Sequence, residues 1–433
     1  MLVGTGQRSS QTPPHVTIVI LVKPLSKASD ERQSQLVHTV CTSWVKVIIM
    51  FDRLSRLSRS HGALQMGKGL VAGVVALMLA VLCLLGVLAF HFPQYLTTPE
   101  LRQSYDVETM RQLLFWCMVI SGGLSLSLIV LGRMRWIASW AFALVTLTAF
   151  LGGHKVEIAS ELPSHVPYIG LDWFILDLLG SSLIFIFIEK LFALRKEQPV
   201  FRAEWQTDFQ YFVINHLIVG FILLATNLIV HKFFGWAAND GIRGWVAGLN
   251  FWVALFLIIL VADLVQYWTH RAYHEIPMLW RIHAVHHSVK SMDWLAGSRQ
   301  HILELLITRT LVLAPIYILG FAKEVIDAYI IIVGFQAVFN HANVSVRLGP
   351  LRYLIVTPNF HHWHHSQDQE ALDKNYAAHY AFLDYLFGTA VKSDKLWPKD
   401  YGVLGDYVPN GFFKQLKFPF SSESEPPQDL SHK

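Results

Sequence analysis

Residues 270–288 read HRAYHEIPMLWRIHAVHHS, with five histidines, and residues 359–366 read NFHHWHHS, with four more. The first stretch follows directly on an apolar run over 246–268. The positions are more informative than the number. His270 and His274 stand at i and i+4, while His283, His286 and His287 stand at i, i+3 and i+4. His361, His364 and His365 repeat the second pattern. On a helix, residues so spaced project from one face. The spacing predicts short helices that gather imidazoles where an apolar segment ends, and it points to an all-α chain.

The composition around these stretches fits a lipid environment. The 433 residues are 53% hydrophobic and only 15% charged, whereas soluble domains carry about a quarter charged residues. Runs at 69–92, 113–131, 136–152, 172–193, 209–231 and 246–268 are apolar. Each is long enough to cross a hydrocarbon core, which takes ~20 helical residues. Two further apolar segments, 303–320 and 324–340, flank a break at Gly320 and read as a helical hairpin, either spanning or re-entrant.

Basic residues gather before the first run (Arg53, Arg56, Arg59, Lys68), after the second (Arg133, Arg135) and after the fourth (Arg195, Lys196, Arg202). By the positive-inside rule these loops are cytoplasmic. Six crossings then bring the chain back to the cytoplasmic face before His270. The expectation is a polytopic membrane helical bundle with a cytoplasmic, histidine-rich helical cap holding a di-metal site. The net charge of +4 is modest and spread over loops, which argues against a nucleic-acid partner.

Residues 1–65 are polar, Ser-rich and basic, and read as a disordered extension or an upstream start with Met50 or Met66 as the true one. Residues 66–170 read as additional transmembrane helices, and 393–433 as a cytoplasmic tail. Cys41, Cys83 and Cys117 lie far from one another and from the histidines, so neither disulfides nor thiolate ligands are indicated. Any metal is held by nitrogen and oxygen.

Twelve of the 21 histidines fall between 270 and 379. The three clusters offer eight imidazoles, with His341 and His301 in addition, too many for one ion. Two ions of five- or six-coordination fit better than a tetrahedral zinc site. A redox-active di-iron pair is the best match, since O₂ chemistry needs open positions and electrons. The competing readings are scattered surface histidines, or a histidine-rich loop of a metal transporter. Asp263, Tyr267, His270 and His274 form one helical stripe. Asp263 is expected to orient a ligand histidine through its other ring nitrogen, or else to pair with Arg271 or Lys290. Trp280, Trp294 and Trp363 line the site or anchor the membrane interface, the second being the expected role. GKGLVAG (67–73) follows no strand, so it is helix packing rather than a nucleotide loop. With no dinucleotide fold visible, electrons come from a separate protein.

The segments HRAYH, LWRIHAVHHS and PNFHHWHHS resemble the three histidine boxes of the sterol desaturase and fatty acid hydroxylase superfamily. Flanking pieces agree: SRQHILELL, FNHAN and KNYAAHYAFLDYLFGT. The resemblance covers about 246–392 well and reaches back to 172, implying a catalytic domain over 171–392. It implies an iron-dependent membrane oxygenase that hydroxylates or desaturates a lipid with O₂ and an external reductant, a cytochrome b5-like or ferredoxin-like protein. The related ether-lipid and carotenoid oxygenases are the alternatives. Overexpressed protein would carry zinc in place of iron. The implied ligands are His270, His274, His283, His286, His287, His361, His364 and His365, with His341 as a ninth. His301, His379 and Asp263 are further ligands or outer partners. Where the family often has glycine after NY, this chain has Ala377 and Ala378.

Overall fold

In a computed structural model of the chain, the structure describes residues 69–102, 106–157, 168–346, 348–391 and 396–421. The reading of 1–65, and of the end of the tail, lies outside the described residues. Among the described residues there are helices and two isolated bridges, Ala193–Val344 and Ser366–Tyr401, but no strand.

Twelve helices matter for the argument. They are α1 (Leu70–His91), α2 (Val107–Val130), α3 (Arg135–Phe150), α4 (Leu171–Leu191), α5 (Trp205–Leu217) and α6 (Val219–Phe234). There follow α7 (Phe251–Glu275), α8 (Pro277–His287), α9 (Ile302–Leu319), α10 (Lys323–His341), α11 (Pro358–His364) and α12 (Phe412–Lys417). Seven helices are long and apolar enough to cross a membrane: α1 to α4, α6, α7 and α9. Their outer faces carry large apolar side chains, such as Trp116, Leu183 and Trp252, which lipid would cover.

The structure corrects the sequence expectation in one place. The run 209–231 is not one span: the chain breaks at Ile218, separating α5 from α6. The reason is charge, because α5 buries Asp208 against two arginines and so belongs outside the hydrocarbon. The expected hairpin is present as α9 and α10 about Gly320, and α10, which opens with Lys323, Glu324 and Asp327, is not among the seven apolar helices.

Local signals place the ends that build the site. Asn250 caps α7, its side chain accepting from the Trp252 N–H. Pro277 opens α8 at a position where no N–H is needed, so the chain turns directly from α7 into α8. The His301 ring caps α9, and Gly320 ends it with φ of 68°, a conformation glycine adopts without strain. Thr357 caps α11 and Pro358 starts it. A buried apolar cluster ties α7 to α9 and α10 through Ile258, Ala262, Val312, Ile316, Val325 and Tyr329. The last turns of α7 and α10 and the first of α9 therefore lie at one end of this bundle, with α8 and α11 packed across it.

Candidate metal centre

At that end the structure gathers nine histidines into two groups. His270 and His274 from α7, His283 and His287 from α8, and His364 from α11 form the first. His286 from α8, His341 from the end of α10, His361 from α11 and His365 just beyond it form the second. Within each group the ligand nitrogens all lie within 4.8 Å of one another. The second and third boxes are therefore each shared between the groups, whereas both histidines of the first box serve one group. The cause is helical pitch: His287 stands ~40° round from His283, whereas His286 stands ~60° the other way.

The Nε2 atoms converge in close pairs. His270 and His283 are 3.0 Å apart, and His283 and His287 3.1 Å. In the second group His286 and His341 are 3.3 Å apart, His341 and His361 3.0 Å, and His361 and His365 3.2 Å. Two nitrogens bonded to one ion at ~2.1 Å, with ~90–109° between the bonds, lie about 3.0–3.4 Å apart. The buried Nε2 atoms of His274 and His364 have no protein partner. The close pairs fit a metal ion in each group, and the two unpartnered Nε2 atoms fit one in the first.

The other ring nitrogen is tied outward in six of the nine. Nδ1 of His270 donates to the Tyr376 carbonyl at 2.7 Å, that of His364 to the Lys374 carbonyl at 2.7 Å, and that of His341 to the Ala337 carbonyl at 2.8 Å. Nδ1 of His286 donates to the Arg299 carbonyl at 3.1 Å. His283 and His274 donate to carboxylates, Glu304 at 3.0 Å and Asp373 at 3.1 Å. Such partners fix the tautomer and leave Nε2 as the inward lone pair. Burial, reinforced by the neighbouring imidazoles, holds His283, His286, His287, His361, His364 and His365 well below the usual histidine range. They are neutral, the form that binds metal.

Asp263 does not touch a ligand histidine, which corrects the sequence expectation. Its carboxylate accepts from the backbone N–H groups of Ala378, His379 and Tyr380. Asp384 does the same for Tyr376 and Ala377. The two aspartates clamp the loop whose carbonyls receive His270 and His364. Ala377 and Ala378 are tolerated because the left-handed positions in this loop are Asp373 and Asn375 instead.

Three other histidines stay outside both groups. His301 is spent on capping α9 and donating to the Leu416 carbonyl, and His379 contacts Gln336 through Nδ1. His362 meets the Tyr401 hydroxyl and the Ala342 carbonyl. The tryptophans are not an interface belt: Trp294 and Trp363 are buried in protein, and Trp280 lies tilted against His274 and His287 while donating to the Tyr407 hydroxyl.

Sequence reasoning missed two supports. Glu304 lies in the apolar span α9, where an isolated carboxylate is costly; that cost was the available signal. The second is a buried ion network outside the spans. Arg202 bridges Asp208 (2.6 Å) and Asp293 (2.8 Å), and Arg299 bridges Asp208 and Glu204. It anchors the 293–299 turn that supports His286. In that turn Gly297 approaches so closely that an added Cβ would sit 2.8 Å from Nδ1 of His341.

Residues 255–389 match the fatty acid hydroxylase family. The ornithine lipid hydroxylase OlsE of Rhizobium tropici is 34% identical over 173 residues, 39% of this chain and 52% of that protein. The alkylglycerol monooxygenase of Homo sapiens is 30% identical over 173 residues, 39% of this chain and 36% of that protein. A very-long-chain aldehyde decarbonylase of Oryza sativa subsp. indica is 29% identical over 147 residues, 31% of this chain and 23% of that protein. The chain thus spans about half the length, or less, of these relatives. No solved structure matches it. The resemblance read from the histidine boxes holds over residues 255–389, and the chain is a multi-pass membrane protein.

Proposed function

We propose that this protein is a membrane-bound, di-iron, O₂-dependent oxygenase acting on an unactivated C–H bond of a lipid. The convergence of nine histidines in two groups carries the reading. His270, His274, His283, His287 and His364 hold one iron, and His286, His341, His361 and His365 the other. When bound, the irons supply O₂ activation and hydrogen abstraction. The protein's own part is to fix the imidazoles and to keep bulk water from the site. Glu304 and Asp373 orient two of the rings, and the carbonyls of Tyr376, Lys374, Ala337 and Arg299 orient four.

Hydroxylation places one oxygen atom of O₂ in the lipid and the other in water, consuming two electrons and two protons. The electrons come from a separate redox protein, cytochrome b5-like or ferredoxin-like. It docks on the cytoplasmic face, where the charge of the loops puts the histidines. Hydroxylation is favoured over ether cleavage because the bacterial relative with the larger shared fraction is named a lipid hydroxylase. Over 171–392 the chain acts as the catalytic unit, and 66–170 as an added membrane unit.

The test is turnover by iron-loaded protein in lipid nanodiscs with reductant and ¹⁸O₂. One ¹⁸O atom per hydroxylated lipid is the expected result. An ether-cleaved product would move the activity to the monooxygenase alternative. Metal uptake into vesicles without any lipid product would overturn the enzyme reading.

A further inference from the structure

Helix α9 carries two charged residues along its length, Glu304 and Arg309. Glu304 is buried and holds His283. Arg309 is different, because its side chain is exposed although it lies in an apolar, membrane-length helix. Among the described residues it has no ion pair, hydrogen bond or ring contact. An unpaired guanidinium at membrane depth is expensive, and such residues face either a ligand path or the headgroup layer.

The helical positions decide between these. Thr310 turns towards α6, where its hydroxyl lies 3.4 Å from that of Thr226. Thr308 turns towards α7, 3.0 Å from the Tyr273 hydroxyl. Val312 and Ile316, three and seven residues after Arg309, belong to the cluster buried against α7 and α10. Arg309 therefore starts from the side of α9 that faces α7 and α10, yet remains exposed. Its electrostatic neighbour is the Tyr329 phenol of α10, so it emerges towards α10 rather than on the far, lipid-facing side. Helical side chains lean towards the N-terminus, here the end that carries the histidines. Glu304 is five residues away, or ~7.5 Å of rise.

We propose that Arg309 receives the oxyanion of the lipid substrate's head, a phosphate or carboxylate, and holds the acyl chain in the α9–α10 seam beside the histidine groups. A guanidinium suits such a group because its planar fork pairs two oxygens at once. This deepens the oxygenase reading and rests on it: the substrate class becomes an anionic lipid rather than a sterol or a neutral glyceride.

Binding can be tested without turnover. Oleoyl lysophosphatidic acid and oleoyl glycerol share a chain and differ by the phosphate; N-oleoyl glycine and N-oleoyl ethanolamine differ by the carboxylate. Retention of each by full-length, metal-loaded protein would be read by native mass spectrometry from dodecyl maltoside, a detergent without phosphate. Each anionic probe should be retained at least about 10-fold better than its neutral partner. Arg309→Gln should erase that preference with metal content unchanged, and Arg309→Lys should keep most of it. Equal retention in the unmodified protein, or a preference that survives Arg309→Gln, would overturn the proposal. Should the variants fail to fold, a diazirine-bearing lysophosphatidic acid decides on unmodified protein: labelling within 305–334 supports the site, and labelling confined elsewhere refutes it. If the phosphate probe labels this seam while no lipid is ever oxidised, the oxygenase reading fails and the lipid-anion site stands.

Discussion

The three-helix unit α1–α3 and the histidine end of α7–α11 are both all-helical, yet they are held together in different ways. In the first, helices approach through small residues: Ala76, Ala80, Ala141, Ser121 and Ser125 are buried, and the Ser121 hydroxyl donates to the Ala76 carbonyl at 2.6 Å. Small contacts of this kind bring helices close where lipid removes the hydrophobic drive. The second region buries nitrogen and charge instead, and each polar atom is fixed by a particular partner. A small-residue interface tolerates many sequences, whereas a lattice of imidazoles, carbonyls and carboxylates tolerates few. The family match, residues 255–389, falls on the second region and not on the first.

Substitutions in the two regions should therefore differ in kind, and the largest effects belong to the ligands. His286→Ala removes a nitrogen from one group and His364→Ala one from the other. Both should reduce lipid turnover to background and lower the metal content measured by plasma mass spectrometry.

Supports of the ligands come next. Glu304→Gln leaves His283 without its charged acceptor and should cost about 10–100-fold in turnover or metal affinity. Gly297→Ala drives a methyl group against His341 and should lower occupancy of the second group more than the first. Iron titration followed by Mössbauer or absorption spectroscopy would separate the two groups. Equal loss from both would contradict the division.

His362→Ala sharpens the comparison from within the cap. The residue is fully buried but outside both groups, so the variant should keep both metals and most activity. It should melt earlier, because it strands the Tyr401 hydroxyl and the Ala342 carbonyl, at about 1–3 kcal/mol for each buried group left unpaired. Loss of activity equal to that of His364→Ala would break the account of the third cluster. The smallest effect on chemistry belongs to Ala141→Leu in the three-helix unit. Overpacking there should destabilise by about 1–3 kcal/mol, while turnover per bound metal stays unchanged.

How much of this was legible in the sequence follows the same divide. Imidazole spacing at i, i+3 and i+4 is a local signal, so the histidines that come together stand out in the chain. That the i+3 residue parts from the others follows from this spacing, but which box meets which in a group depends on how α8 and α11 cross, and no spacing encodes that. The apolar runs announce the membrane helices, but the break at Ile218 depends on Asp208 meeting Arg202 and Arg299, the latter 91 residues away. Asp263 was legible as a buried carboxylate needing a partner. That its partners are the N–H groups of residues 378–380 could not be read, because backbone donors leave no mark on sequence.

Metal stoichiometry in gently purified, active protein tests the central claim most directly. Two irons per chain are expected, with His286→Ala and His364→Ala each losing metal from a different group. An active protein that carries one ion or none would contradict the di-iron account.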